Sequence, residues 1–501
     1  MTTAWEELLP RLHELADLES AIRLLDWDQL VMMPPKGAPA RARALATIEA
    51  IHHDKLTNPE LGELLEELSG DSALDEDQSA SVRILKRDYD KATRVPEKLV
   101  RELAQLRAIT YQTWTEARPA SDFKMLEPHL SRLVGLKKEE ADALGHDGER
   151  YDALLDIYEP ESTTAEIKEM FEGLGRGLQP LAEAILEVAG PRPEFLGRTS
   201  STQAQESACR WIAEQLGFDF HSGRLDTSPH PFTSGIGAGD VRQTTRPEAR
   251  GLLNAIYAVL HETGHGLYEQ RIPLKLRGLP VGRTASFGMH ESQSRLWENQ
   301  VGRSRSFTDF LLPRLKDRFP EVLGDVPPDE FHRGVNHPER GPIRINADEV
   351  TYNLHLLVRF ELGLALFRDE LEVKDLPGAW NEKMESHLGI KPEDDASGVL
   401  QDMHWPSGNF GYFPTYTIGT LYGAAIFLEA GRQLPDLQRE MRAGDTSSLL
   451  DWLTQNVYER AYRYPANRLV EQILGSKPSA QPFLTYLATK YSEIYDTDLS
   501  A

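Results

Sequence analysis

The chain has 501 residues, 40% hydrophobic and 27% charged, the make-up of a globular protein with a sizeable core. Its 55 basic and 79 acidic residues leave a formal charge of −24, which argues against nucleic acid or an anionic membrane surface as partner, since both need clustered Lys and Arg. The single cysteine, Cys209, excludes an intramolecular disulfide framework.

The opening "MTTAWEELLPRLHELADLES" lacks the basic segment and apolar run of a secretory signal, and no apolar stretch reaches the ~18 residues of a membrane span, so a cytoplasmic protein is expected. Helical periodicity runs through "AWEELLPRLHELADLESAIRLLDWD", breaks at "MPPKGAPA" (Met33 to Ala40), and resumes in several segments up to about Ala189. Cys209 sits in "ESACRWIAEQL", an amphipathic helix, and reads as a buried structural thiol. The next stretch, "GFDFHSGRLDTSPHPFTSGIGAGDVRQTTR", is the one convincing β region, with short strands between turn residues. Helix is expected to return at Pro247, a residue suited to a first helical turn, and to carry "AVLHETGHGLYEQ" (Ala258 to Gln270). Another helix is expected in "ESQSRLWENQVGR", and the rest is mostly helical between loops at "VNHPERGP", "HWPSGNFGYFP" and "GSKPSAQP". No flexible linker separates autonomous domains. One domain over 1–501 is expected, in an N-terminal helical part (about 1–190), a central part (about 191–430) and C-terminal helices (about 431–501).

His261 and His265 stand four positions apart on the expected helix, so both project from one face. Two neutral imidazoles there can ligate one Zn²⁺, and Glu262, offset by one residue, is placed to act as a base beside it. Gly264 and Gly266 weaken a helix by about 1 kcal/mol each, so they suggest that another segment approaches closely. A catalytic site needs a third protein ligand and an open position. Glu291, 26 positions beyond His265, is the candidate; Glu298 competes, and adjacent His290 is a possible ligand or supporting group.

Taken together, "LLDWDQLVMMPPKGAPARA", "HPF" (His230 to Phe232), "DVRQT" (Asp240 to Thr244), "HETGH", "HESQ" (His290 to Gln293), "IRINAD" (Ile343 to Asp348) and "GVLQDMHW" (Gly398 to Trp405) resemble, in order, the signature blocks of the carboxypeptidase Taq family of metallocarboxypeptidases. The resemblance implies a mainly α, extended fold with a deep groove and a small sheet beside the metal. It makes His261, His265 and Glu291 the metal ligands and Glu262 the general base. It also implies a cytosolic homodimer that removes C-terminal residues with broad specificity, using Zn²⁺ or possibly Co²⁺. One departure is Tyr458, where the family commonly has His.

A carboxypeptidase must bind a free α-carboxylate, which suits the planar fork of arginine. Arg344 is the preferred anchor and Arg242 the alternative; Asp348 and Asp240 lie close enough in sequence to be ion-pair partners instead. His404, Tyr412 and Tyr416 can donate to an oxyanion or line a pocket. His230 and Asp348 are candidate substrate contacts, and Gln401 and Asp402 are candidates for contacting substrate or supporting the groups that do. Two rivals stand beside this reading: an oligopeptidase that cuts internally, and a non-catalytic peptide-binding protein with a structural zinc.

Overall fold

The computed structural model describes residues 3–499. Among them are twenty-one α-helices and one three-stranded sheet, so the mainly α expectation holds. The chain divides into two compact units built from interleaved segments: residues 1–93, 192–335 and 426–476 form one, and residues 94–191, 336–425 and 477–501 the other.

In the first unit the N-terminal helix Ala4–Val31 is capped by Thr3 and Glu6 in a reciprocal capping box and runs through Pro10. It buries Leu8, Leu12 and Leu15 against Leu61, Leu65 and Leu68 of Pro59–Leu68 and against Val82 and Leu85. Each such side chain contributes about 1.5–3 kcal/mol of burial. The expected β region forms β1 (Gly223–Thr227), β2 (Thr233–Gly237) and β3 (Asp240–Thr245). β3 lies centrally, parallel to β1 and antiparallel to β2, with a register shift at Gly235/Gly237. The helix bearing the two histidines spans Leu252–Arg271 and packs on β3, β2, and helices Thr202–Gln215 and Phe287–Arg295. It does not start at Pro247. Arg250 makes a bridge with Thr199 and Gly251 takes a left-handed conformation (φ 116°), so the chain is not helical until Leu252. Cys209 is buried, its Sγ 3.5 Å from the Ala255 carbonyl.

In the second unit, helices Glu97–Ala120 and Phe123–Leu144 pack together. Helix Tyr352–Phe367 is apolar nearly all round and nearly every side chain is buried, as that pattern requires. It packs against Thr164–Val188 and Leu376–Leu388. Two of its polar side chains, His355 and Arg359, are fully buried.

Candidate metal centre

The spacing that puts His261 and His265 on one helical face brings their ring centroids to 5.0 Å. The glycines between and after them are needed for close approach. A Cβ on Gly264 would fall 2.5 Å from the Gln293 carbonyl oxygen and 2.7 Å from Ser294 Cα. A Cβ on Gly266 would fall 2.7 Å from the Phe218 ring. The backbone of helix Phe287–Arg295 therefore lies directly on the histidine helix, and Glu291 is delivered to the same point.

Oε2 of Glu291 lies 3.5 Å from Nε2 of His261 and 3.4 Å from Nε2 of His265. Two ligands each ~2.0–2.1 Å from a tetrahedral metal are about 3.3 Å apart, so these separations fit one ion shared by all three atoms. Among the described residues, this is the group of His, Cys, Asp and Glu whose ligand atoms converge, all within 4.8 Å of one another. The nitrogen–nitrogen–oxygen set is that of catalytic zinc sites with two histidines and a glutamate.

Glu298 does not join them. Its Oε2 lies 3.0 Å from Nδ1 of His261, the nitrogen facing away from the site. A carboxylate there fixes the tautomer and the ring orientation of a ligating histidine. Glu298 sits in a π-helical stretch, Leu296–Val301, that follows helix Phe287–Arg295 and was not expected from sequence. Arg303 holds the other Glu298 oxygen at 3.2 Å, and Arg295 donates through Nε to Oε1 of Glu291 at 2.7 Å. Burial alone would raise Glu298, but His261, Arg295 and Arg303 outweigh it and hold the carboxyl at about 2. Glu291 is likewise held well below the usual carboxylate range against its burial, chiefly by Arg295 and His261. Burial and the neighbouring His290 push His265 down to about 3, so it offers a neutral ring.

Glu262 is buried, and that burial raises its carboxyl above the ordinary value. Thr233 of β2 donates to its Oε2 at 2.7 Å and to its backbone carbonyl at 3.0 Å. A second tie to the sheet runs from Thr263 to Gln243 of β3, at 3.1 Å.

The other expected site residues fall into two groups. In the first unit, Arg242 forms a bidentate pair with Asp240, at 2.8 and 2.7 Å, and stacks over Trp27. His230 is exposed, and its carbonyl accepts from Ser228. In the second unit, Arg344 is paired not with Asp348 but with Asp402, through Nε and Nη2 at 3.1 and 2.7 Å. Arg359 holds the other Asp402 oxygen at 2.6 Å. Two buried guanidinium groups thus share one carboxylate, which leaves a surplus positive charge. Tyr352 accepts from Arg344 at 3.2 Å, and Tyr416 is 3.2 Å from Nε2 of His404. Tyr412 packs on both Tyr416 and the His404 ring. Asp348 and Gln401, expected to meet substrate, are engaged with the chain itself. Asp348 accepts from the backbone of Glu339, Val350 and Thr351 and from the Thr351 hydroxyl. Gln401 accepts from the Arg344 backbone and donates to the Pro342 carbonyl, so it pins the Arg344 segment.

A family model described as carboxypeptidase Taq (M32) metallopeptidase matches residues 7–491. The chain belongs to the M32 carboxypeptidase family. It is 43% identical to thermostable carboxypeptidase 1 of Thermus thermophilus, over 98% of this chain and 99% of that one. The M32 carboxypeptidase structure from Deinococcus radiodurans R1 shares its fold with a TM-score of 0.96 at 38% identity, covering 99% of this chain and 100% of that one. The structure of Pyrococcus furiosus carboxypeptidase gives 0.96 at 34% identity, covering 98% and 99%. As an M32 member this protein is a metallocarboxypeptidase, a peptide hydrolase. No helix among the described residues is long and apolar enough to cross a membrane.

Within this M32 chain, sequence reading did not find Thr233, Arg295, Arg303 and Arg359. Thr233 and Arg359 act through contacts between distant elements, and no short motif spacing reports those. Arg295 alone had a signal: it stands four positions after Glu291 on one helix face. Tyr458, the expected departure from the family pattern, is buried, takes a hydrogen bond from Trp297 at 3.3 Å and stacks on Tyr268.

Proposed function

We propose that this enzyme is a zinc-dependent exopeptidase that removes residues from the free C-terminus of peptides with broad specificity. The observation that carries the reading is the convergence of His261, His265 and Glu291 at tetrahedral-edge separations, with Glu262 beside them. When bound there, Zn²⁺ or Co²⁺ supplies Lewis acidity to a carbonyl and lowers the pKa of water. Glu262 takes a proton from the attacking water at its carboxylate and passes it to the leaving amine nitrogen. A carboxyl raised by burial suits a group that must carry a proton part-way through a reaction. Thr233 occupies Oε2 and leaves Oε1 for that exchange.

Arg344 anchors the substrate's terminal carboxylate. The surplus charge of the Arg344–Asp402–Arg359 cluster supports this, whereas Arg242 is neutralised one-to-one by Asp240. His404 and Tyr412 are the candidate donors to the oxyanion, with Tyr416 and His230 as further peptide contacts. A homodimer and a cytoplasmic setting belong to the same proposal; the single buried free thiol agrees with the latter.

Mass spectrometry of a peptide acid beside its C-terminal amide, with the Zn²⁺-loaded protein, tests it. A ladder from the acid alone is expected. Internal cuts in both peptides would make the protein an oligopeptidase, and no cleavage by metal-loaded protein would revive a structural role. Glu262→Gln is expected to keep its metal and lose ~10²–10⁴-fold in rate. A metal-loaded variant at the wild-type rate would remove Glu262 from the mechanism.

A further inference from the structure

The two imidazoles of the centre are oriented by different means. His261 has its outer nitrogen on Glu298. Nδ1 of His265 is buried and has no protein hydrogen-bond partner among the described residues. A histidine ring turns about a broad, roughly two-fold χ2 torsion, so without such a bond only packing sets its direction. The packing is specific. The His290 ring lies flat against His265, with centroids 4.2 Å apart and planes 21° from parallel. Turning either ring out of that stack would drive its edge into the other.

His290 is held in turn. Its Nε2 is 3.4 Å from Oε1 of Glu269, one helical turn beyond His265. Glu269 is braced by Arg277, 3.7 Å from its Oε2. It also depends on Gly235 of β2, because a Cβ there would fall 2.6 Å from Oε2. Tyr268 lies against a further side of His290, at 6.0 Å. His290 is not among the atoms that converge on the centre.

We infer that His290, held by Glu269, is a positioning residue for His265, its ring doing by stacking what Glu298 does for His261 by hydrogen bonding. This rests on the reading that His265 is a metal ligand. The carboxylate–histidine pairing predicts a size for the effect: loss of an orienting partner costs roughly 10–100-fold in metal affinity.

The test is competition for Zn²⁺ between the full-length protein and a chromophoric chelator, with the visible spectrum of the Co²⁺-loaded protein as a second readout and circular dichroism to confirm folding. His290→Ala is expected to bind Zn²⁺ roughly 10–100-fold more weakly and to shift the Co²⁺ bands. His290→Phe, which keeps a flat ring but no nitrogen, is expected to restore most of the affinity. Gly235→Ala crowds Glu269 without touching either histidine and is expected to shift the Co²⁺ bands in the same direction. A folded His290→Ala protein with wild-type affinity and spectrum would overturn the inference, as would a Phe variant as weak as the Ala one. An unaltered Gly235→Ala spectrum would remove Glu269 from it. His265→Ala separates the two levels: if it retains Zn²⁺ like the wild type, the ligand assignment fails; if it loses Zn²⁺ while His290→Ala does not, only the positioning role fails.

Discussion

One hydroxyl distinguishes the two oxygens of Glu262. Thr233 donates to Oε2 from a neighbouring strand at 2.7 Å. Thr233→Val keeps the shape and deletes the donor. The expected outcome is a fall in kcat of roughly tenfold with KM and bound Zn²⁺ unchanged, and recovery in Thr233→Ser. At Cys209, burial pushes the thiol up to about 12, so almost none is thiolate at neutral pH. A thiol reagent at pH 8 is expected to find no reactive group in the native protein and one in the denatured protein. At this scale part of the pattern was readable: His261, Glu262 and His265 are marked by their spacing on one helix, whereas Glu291 stood beside Glu298 as an alternative until the family resemblance favoured it. Thr233 was not, because it reaches Glu262 from 29 positions away and through a sheet. Glu298 was visible only as a competing ligand, since helical period puts it on the face of Glu291; which nitrogen it meets is a tertiary fact.

Between elements, the contact at Gly264 sets how closely the helices that carry His265 and Glu291 lie. Gly264→Ala would press a methyl into the backbone of Gln293 and Ser294, which cannot turn aside as a side chain could. A loss of about 1–3 kcal/mol is expected, read as a lowered thermal midpoint, together with weaker metal binding because Glu291 moves with that backbone. The N-terminal helix supplies a second case. Glu19 pairs with Arg283 at 2.7 Å and contacts His52. Burial would raise its carboxyl, but His52, Arg283 and Arg23 hold it at about 2, against an ordinary 4.5. Its contribution is therefore present above pH ~4.5 and lost as pH falls from there toward 2. Glu19→Gln is expected to lower stability by about 2 kcal/mol at pH 7 and to make no further difference near pH 2, as denaturant titrations at the two pH values would show. The close approach at Gly264 was foreshadowed by two glycines that weaken the helix. The π-helical turn and the helix start at Leu252 were not, because both depend on what the neighbouring segments do.

Across the molecule, helical class and the small sheet were legible from periodicity, but the interleaving was not. Residues 94–191 read as a run of good helices, yet their core is completed by chain far away. Phe171 meets Phe360, Gly177 faces Leu484, and the Trp114 indole donates to the Leu400 carbonyl at 2.8 Å. Contacts at such separations leave no periodic trace in either segment. A fragment of residues 94–191 is accordingly expected to show helical circular dichroism without a cooperative melt, whereas a sharp transition would mean that these helices form a core of their own.

The His261–His265–Glu291 cluster differs from those long-range contacts in one respect. His261 and Glu291 are only 30 positions apart, and the helices that bear them are joined by residues 272–286, which include two short 3-10 turns. The entropy of closing a loop grows slowly with its length, so this closure is among the least demanding in the chain. The centre can assemble while the distant segments of its own unit are still unstructured. In refolding, added Zn²⁺ is then expected to accelerate the earliest phase, with the site acting as a point from which order spreads.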